Sequence, residues 1–289
     1  MSLNSFIFNY NCKKSDNKRD AGLTTPADIC RFDNIPYGAD PVWQVLDVYR
    51  PRENKGKLPV IVSVHGGGWV YGTTKTYQFY CMNLAQRGFA VVNFNYRLAP
   101  KHKYPAALED VNSAFAWVME HSDEYDLDTN NIFALGDSAG AQLLGQYACV
   151  VTNPEYAKKF DFKVPDDLSL NAIALNCGVY NVEEQSVNSL LWEYIDKKRG
   201  QELARELTIT HYIAANFPPS FIMTCNEDFL KEEPAFLLPV LDKYGIEYIS
   251  KVYGDEEHLL GHVFHVDIKK DEAKICNDEE CDFFRKYMK

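Results

Sequence analysis

Runs of apolar, β-branched and aromatic residues recur along this chain at 58–66 (LPVIVSVHG), 89–96 (FAVVNFNY), 131–136 (NIFALG), 170–177 (LNAIALNC), 220–226 (SFIMTCN) and 248–254 (YISKVYG), with helix-patterned stretches between them. Strands with so little polar alternation bury both faces, and the intervening helices supply the cover. The pattern therefore predicts an α/β chain with a mostly parallel central sheet flanked by helices. Helices are expected at 76–87, 105–121, 138–151, 234–244 and 278–287. VWQVLDVYRP (42–51) alternates and ends in proline, which suits an antiparallel edge strand. No period of about 20–50 residues repeats, which excludes solenoids and propellers. A chain of 289 residues with 46% hydrophobic content can enclose one large core, so 1–289 reads as a single domain. Two segments break the alternation: residues 1–40, polar and irregular, and 180–216, longer than a simple crossover needs. Both read as a small cap over the carboxyl ends of the strands, where open α/β sheets bind ligands.

Charge narrows the partners. With 41 acidic against 30 basic residues and a net charge of −11, neither nucleic acid nor an anionic membrane is expected as a partner. No apolar run reaches the roughly 18 residues of a membrane span, and the first residues lack a secretory leader pattern, so a cytoplasmic protein is expected. The cysteines, Cys12, Cys30, Cys81, Cys149, Cys177, Cys225, Cys276 and Cys281, form no C-x-x-C pair and are expected as free thiols.

One stretch carries chemistry. NIFALGDSAGAQLLG (131–145) places Ser138 between Gly136 and Gly140 at the junction of a strand and a helix. A serine hydroxyl is a weak nucleophile unless it is presented free of cover and relieved of its proton. Gly-x-Ser-x-Gly leaves room for the strained turn that lifts the serine oxygen above a sheet, and the helix start favours developing negative charge. A second stretch, HGGGW (65–69), follows directly on the run PVIVSV. An attacked carbonyl becomes an oxyanion, which needs preorganised N–H donors, and unsubstituted amides can approach it closely. The chain has no G-x-x-x-x-G-K-[ST] and no G-x-G-x-x-G with an acidic ribose partner, so the glycines do not read as a nucleotide loop.

Taken with YRLAPKHKYPAALED (96–110), HGGGW and GDSAG resemble the α/β-hydrolase superfamily, and specifically its hormone-sensitive-lipase-like esterases, from about Val42 to the C-terminus. The resemblance implies an α/β-hydrolase fold. It also implies a serine carboxylic-ester hydrolase acting on short-chain, acetyl-type esters through an acyl-enzyme, with no cofactor and a small-molecule ester as partner. Amides of Gly67, Gly68 and Ala139 would form the oxyanion hole, and Arg97 and Pro105 would shape the loop between the two motifs. The family order of serine, acid, histidine places the remaining partners late in the chain. Asp228, in Asp-Phe-Leu where the family has Asp-Pro-Leu, is the expected acid, with Glu227 in reserve. His262, in His-Val-Phe, is the expected base, with His258 in reserve and His265 a third histidine nearby. Trp69 and Trp192 are candidate substrate-binding residues, with Tyr180 and Phe229 beside them, and Ser189–Trp192 is a candidate lid. An amidase, peptidase or arylformamidase-like hydrolase, an acyltransferase and a non-catalytic binding protein could use the same fold. Homo-oligomerisation stays open.

A metal reading of His258, His262 and Asp267 is set aside. Leu259-Leu260-Gly261 replaces the glutamate-bearing interval of H-E-x-x-H, and Gly261 weakens a helix there.

Overall fold

A computed structural model describes residues 2–54, 56–184 and 190–289. In chain order the elements are α1 (Leu3–Asp20), β1 (Ile29–Pro36), β2 (Val45–Pro51), β3 (Leu58–Val64), α2 (Thr74–Ala85), β4 (Ala90–Phe94), α3 (Ala106–Glu120), β5 (Leu127–Asp137), α4 (Ala139–Thr152), α5 (Pro154–Ala157), β6 (Ala172–Asn176), α6 (Leu191–Tyr194), α7 (Gly200–Leu207), β7 (Ser220–Cys225), α8 (Pro234–Tyr244), β8 (Tyr248–Tyr253) and α9 (Asp271–Arg285). The strands form one sheet in the order β1-β2-β4-β3-β5-β6-β7-β8. β1 and β2 are antiparallel to their neighbours, and every pairing from β4 to β8 is parallel.

Successive side chains of a strand point to opposite faces, and both faces here are covered. Val60 and Val62 of β3 pack with Phe115 of α3, Leu144 of α4 and Leu241 of α8 on one face. Ile61, between them, packs on the other with Tyr80 of α2 and Phe284 of α9. Hence β3, β4 and β6 read as unbroken apolar runs in the sequence: nearly every position is buried. The parallel strands all end on one side, and the loops that leave β3, β5 and β7 there carry HGGGW, Ser138 and Asp228.

Two expectations need correction. β2 is not an edge strand, because β1 pairs along its outer side from Ile29↔Pro51 to Pro36↔Val45. Residues 1–40 are not irregular either, since they hold α1 and β1. Only Ile29 of β1 is buried and its register shifts between Phe32 and Ile35, so no clean alternation marks it. α1 buries only Ser5 while exposing Leu3, Phe6, Ile7 and Tyr10, the reverse of a core-facing stripe. α9 starts at Asp271 rather than 278, with Asp271 and Glu272 in its first turn complementing the helix dipole. All eight cysteines are free. Among the described residues no helix is long and apolar enough to cross a membrane.

Candidate active site

β5 ends at Asp137 and α4 begins at Ala139, so the chain turns from strand to helix within one residue. That residue is Ser138, with φ 53° and ψ −119°. A side chain in this region is strained, and the surroundings hold it there. Its N–H donates to the Asn176 carbonyl at the end of β6 (2.9 Å), and its own carbonyl accepts from Gln142 N one turn into α4 (3.2 Å). The flanking glycines are steric requirements. A Cβ on Gly140 would stand 2.1 Å from the Val64 carbonyl oxygen, and one on Gly136 2.5 Å from that of Gly140. The turn thus presses α4 against the end of β3 and leaves the Ser138 side chain part-exposed on the floor of a 220 Å³ cavity.

HGGGW lies beside it. Gly67 has φ +115°, and its missing Cβ would sit 2.3 Å from the Tyr71 carbonyl oxygen, so the loop closes on itself only with glycine there. That tight loop brings Gly67 and Gly68 to the cavity wall with Ala139, the first residue of α4, whose amide has no acceptor a turn earlier in the helix. His65 is fully buried and stacks on Tyr96 (4.1 Å between centroids), with Nδ1 2.8 Å from the Gly66 carbonyl oxygen. Burial lowers its pKa to about 4, so it is neutral scaffold. Arg97 clamps Asp110 through its backbone N–H (2.7 Å) and Nε (2.9 Å), which joins the loop after β4 to α3.

Asp228 and His262 meet at the far side. His262 Nδ1 lies 2.7 Å from Asp228 Oδ1, which also accepts from Leu230 N (2.9 Å), while Oδ2 accepts from Thr224 Oγ1 (2.9 Å). Burial alone would raise the Asp228 pKa, but the His262 hydrogen bond and charge and the Leu230 amide outweigh it and lower the pKa. The acid is therefore ionised and fixes the ring so that Nε2 is the nitrogen left for the cavity. Phe229 packs on the imidazole, with centroids 4.3 Å apart, and stays 74% exposed. The reserve residues are elsewhere. Glu227 is exposed, His258 pairs with Asp255 on the surface (2.9 Å), and His265 is fully buried against Tyr80. Burial lowers the His265 pKa to about 3.

The aromatic candidates divide. Trp69 lines the cavity, anchored by its Nε1 donating to Gln142 Oε1 (3.2 Å) and by stacking on Tyr194. Trp192 does not line it. It packs on Gly200 and borders a separate hollow with Ser2 and Lys197, because α6 turns its side chain outward from the site. Tyr180 is fully buried and donates to the Leu175 carbonyl (2.9 Å), so it is core. Of the lid candidate Ser189–Trp192, Ser189 lies outside the described residues, as do residues 185–188 of the 180–216 cap expectation.

Sequence reasoning missed the residues of α1 that roof the cavity, Phe8, Cys12, Asp16 and Arg19. It also missed Asp137 beside the serine. Asp137 Oδ2 accepts from Tyr77 Oη (2.7 Å), and burial, partly offset by that bond, raises its pKa to about 6. No sequence signal separates Asp137 from a routine filler of the motif.

The chain is similar to known esterases. The BD-FAE family model matches residues 46–232. Carboxylesterase NlhH of Mycobacterium tuberculosis is 30% identical over 237 residues, which cover 78% of this chain and 74% of that protein. Esterase LipC of the same organism is 29% identical over 206 residues, 67% of this chain, and the chain spans only 50% of its length. Among solved structures, esterase B of Lactobacillus rhamnosis inhibited by a tributyrin phosphonate superposes with a TM-score of 0.90. Identity there is 25%, over 99% of this chain and 94% of that one.

Proposed function

The chain belongs to the α/β-hydrolase superfamily and, within it, to the hormone-sensitive-lipase-like esterases, and on that footing we propose that it is a carboxylesterase-type serine hydrolase of short-chain, acetyl-type esters. The observation that carries the reading is the meeting, on one cavity, of a serine at a strained strand–helix turn and an imidazole held by a buried carboxylate. Ser138 attacks the ester carbonyl while His262 takes its proton, and Asp228 stabilises the imidazolium that forms. The amides of Gly67, Gly68 and Ala139 receive the oxyanion. The alcohol leaves with the proton from His262, and water activated by the same ring releases the acid from the acyl-serine.

Size supports a short acyl group. The cavity volume of 220 Å³ lies below the roughly 300–1,000 Å³ of sites for drug-sized ligands. Phe8 and Leu190 are among the apolar side chains that line it. The test is a series of p-nitrophenyl acetate, butyrate, octanoate and palmitate. The reading predicts the highest kcat/KM at acetate or butyrate and a steep fall by octanoate; a maximum at octanoate or beyond overturns the short-chain assignment.

A further inference from the structure

The strand ends that carry the acid also bring a thiol to it. β6 and β7 are parallel neighbours paired at Asn176↔Met223, and the residue that follows β6, Cys177, donates its N–H to the Met223 carbonyl (2.7 Å). Cys177 is 1% and Asp228 2% exposed, and their ligand atoms and a His262 ring nitrogen all lie within 4.8 Å of one another. We infer that Cys177, Asp228 and His262 form a binding site for a thiophilic divalent cation, typified by Zn2+, whose occupancy switches the candidate hydrolase off.

The donor chemistry favours this class of ion. A thiolate, an imidazole and a carboxylate make up a three-ligand zinc set with a fourth position left to water. Mg2+ and Ca2+ prefer shells of oxygen and gain little from the sulfur. His262 lines the cavity while Cys177 and Asp228 lie behind it, so the cavity is the route of entry. His265, the other histidine nearby, is turned to Tyr80, and Cys225, beside Cys177, donates its S–H to the Gly261 carbonyl (3.2 Å). Neither is needed in the ligand set.

The switch follows from proton balance. The nitrogen facing Asp228 is Nδ1. When the cation binds there, the imidazole stays neutral and its proton moves to Nε2, so Nε2 can no longer accept the proton of Ser138. Cys177 loses its thiol proton to solvent. Each ion bound therefore releases one proton.

The inhibitory half of this inference rests on the hydrolase reading; the binding half does not, and the experiment separates them. Cd2+ is titrated into the full chain with a non-thiol reductant present, and the ultraviolet thiolate-to-cadmium band is followed for wild type, Cys177→Ser, Cys177→Ala and Cys225→Ser. Circular dichroism checks that each variant is folded. Wild type and Cys225→Ser should bind one ion per chain with the band, and both Cys177 variants should lose it. In parallel, Zn2+ should inhibit p-nitrophenyl acetate hydrolysis reversibly on chelation, with a midpoint at least tenfold higher in Cys177→Ser than in wild type. A cadmium band that survives both Cys177 variants overturns the site whatever the activity. Equal Zn2+ inhibition in wild type and Cys177→Ala, or equal inhibition by Mg2+, overturns the switch.

Discussion

Ser138 is held at φ 53° and ψ −119°, a region that costs a side chain about 1–3 kcal/mol. On the proposed reading the strain serves function, because the strained turn presents the Ser138 side chain to the cavity. Replacing Ser138 by glycine should therefore separate the two effects. Ser138→Gly is expected to raise the Tm by removing the strained Cβ, while kcat falls by about 10⁴–10⁶-fold, as it should in Ser138→Ala. Ester hydrolysis rates and scanning calorimetry on the two variants check this, and a Ser138→Gly chain that retained activity would contradict the assigned role. Ser138 was legible because Gly136 and Gly140 leave a steric signature in the sequence. His262 and Asp228 were legible only through family order, because an acid and a histidine separated by α8 and β8 carry no local pattern. Asp137 was not legible: its proximity to His262 and Tyr77 exists only once β5, α2 and the loop after β8 are assembled.

At the level of elements, the parallel strands could be read from their unbroken apolar runs, whereas the helix inside the expected cap segment 1–40 could not. α1 contacts the body mostly through polar groups, with Phe8 alone of its large apolar side chains packed against the core. Asn9 donates to the Val70 carbonyl (3.2 Å), Tyr71 Oη to Asp16 (2.7 Å), and Arg19 to the Thr76 carbonyl as well as to Asp16 and Asp20. A helix docked by such bonds shows no apolar period, so composition alone made it look irregular. Arg19 is the hinge of this attachment, because it joins α1 to α2 while lining the cavity. Its removal leaves Asp16 without its cation inside a half-buried wall, a costly arrangement. Arg19→Met should speed hydrogen exchange of the α1 amides and raise KM about tenfold, with kcat changed less, because the serine turn and the oxyanion loop are built by other elements. Unchanged α1 protection would show that the cap does not depend on this residue.

For the whole molecule, the sheet order sets one more ionisable group behind the site. Glu280 of α9 is fully buried, and its Oε2 accepts from Asn176 Nδ2 (2.6 Å); the Asn176 carbonyl in turn holds the amide of Ser138. Burial, only partly offset by the Asn176 bond, raises the Glu280 pKa from 4.5 to about 7. Between those values the folded chain keeps a proton that the unfolded chain has lost, so this group makes stability fall as pH rises through the window, with the full cost present above it. Glu280→Gln should consequently raise the Tm at pH 8 and converge on wild type near pH 4.5; parallel Tm profiles across that range would refute the buried-acid assignment. The sequence could not announce this group, because an acid in a charge-dense helix such as α9 looks solvent-facing until packing places it. The most direct test of the whole account is labelling of the intact chain with a fluorophosphonate ester, read by peptide mass spectrometry. One adduct on Ser138, slowed by at least a hundredfold in His262→Ala, is the predicted result. An unlabelled chain, or an adduct whose rate is indifferent to His262, would contradict it.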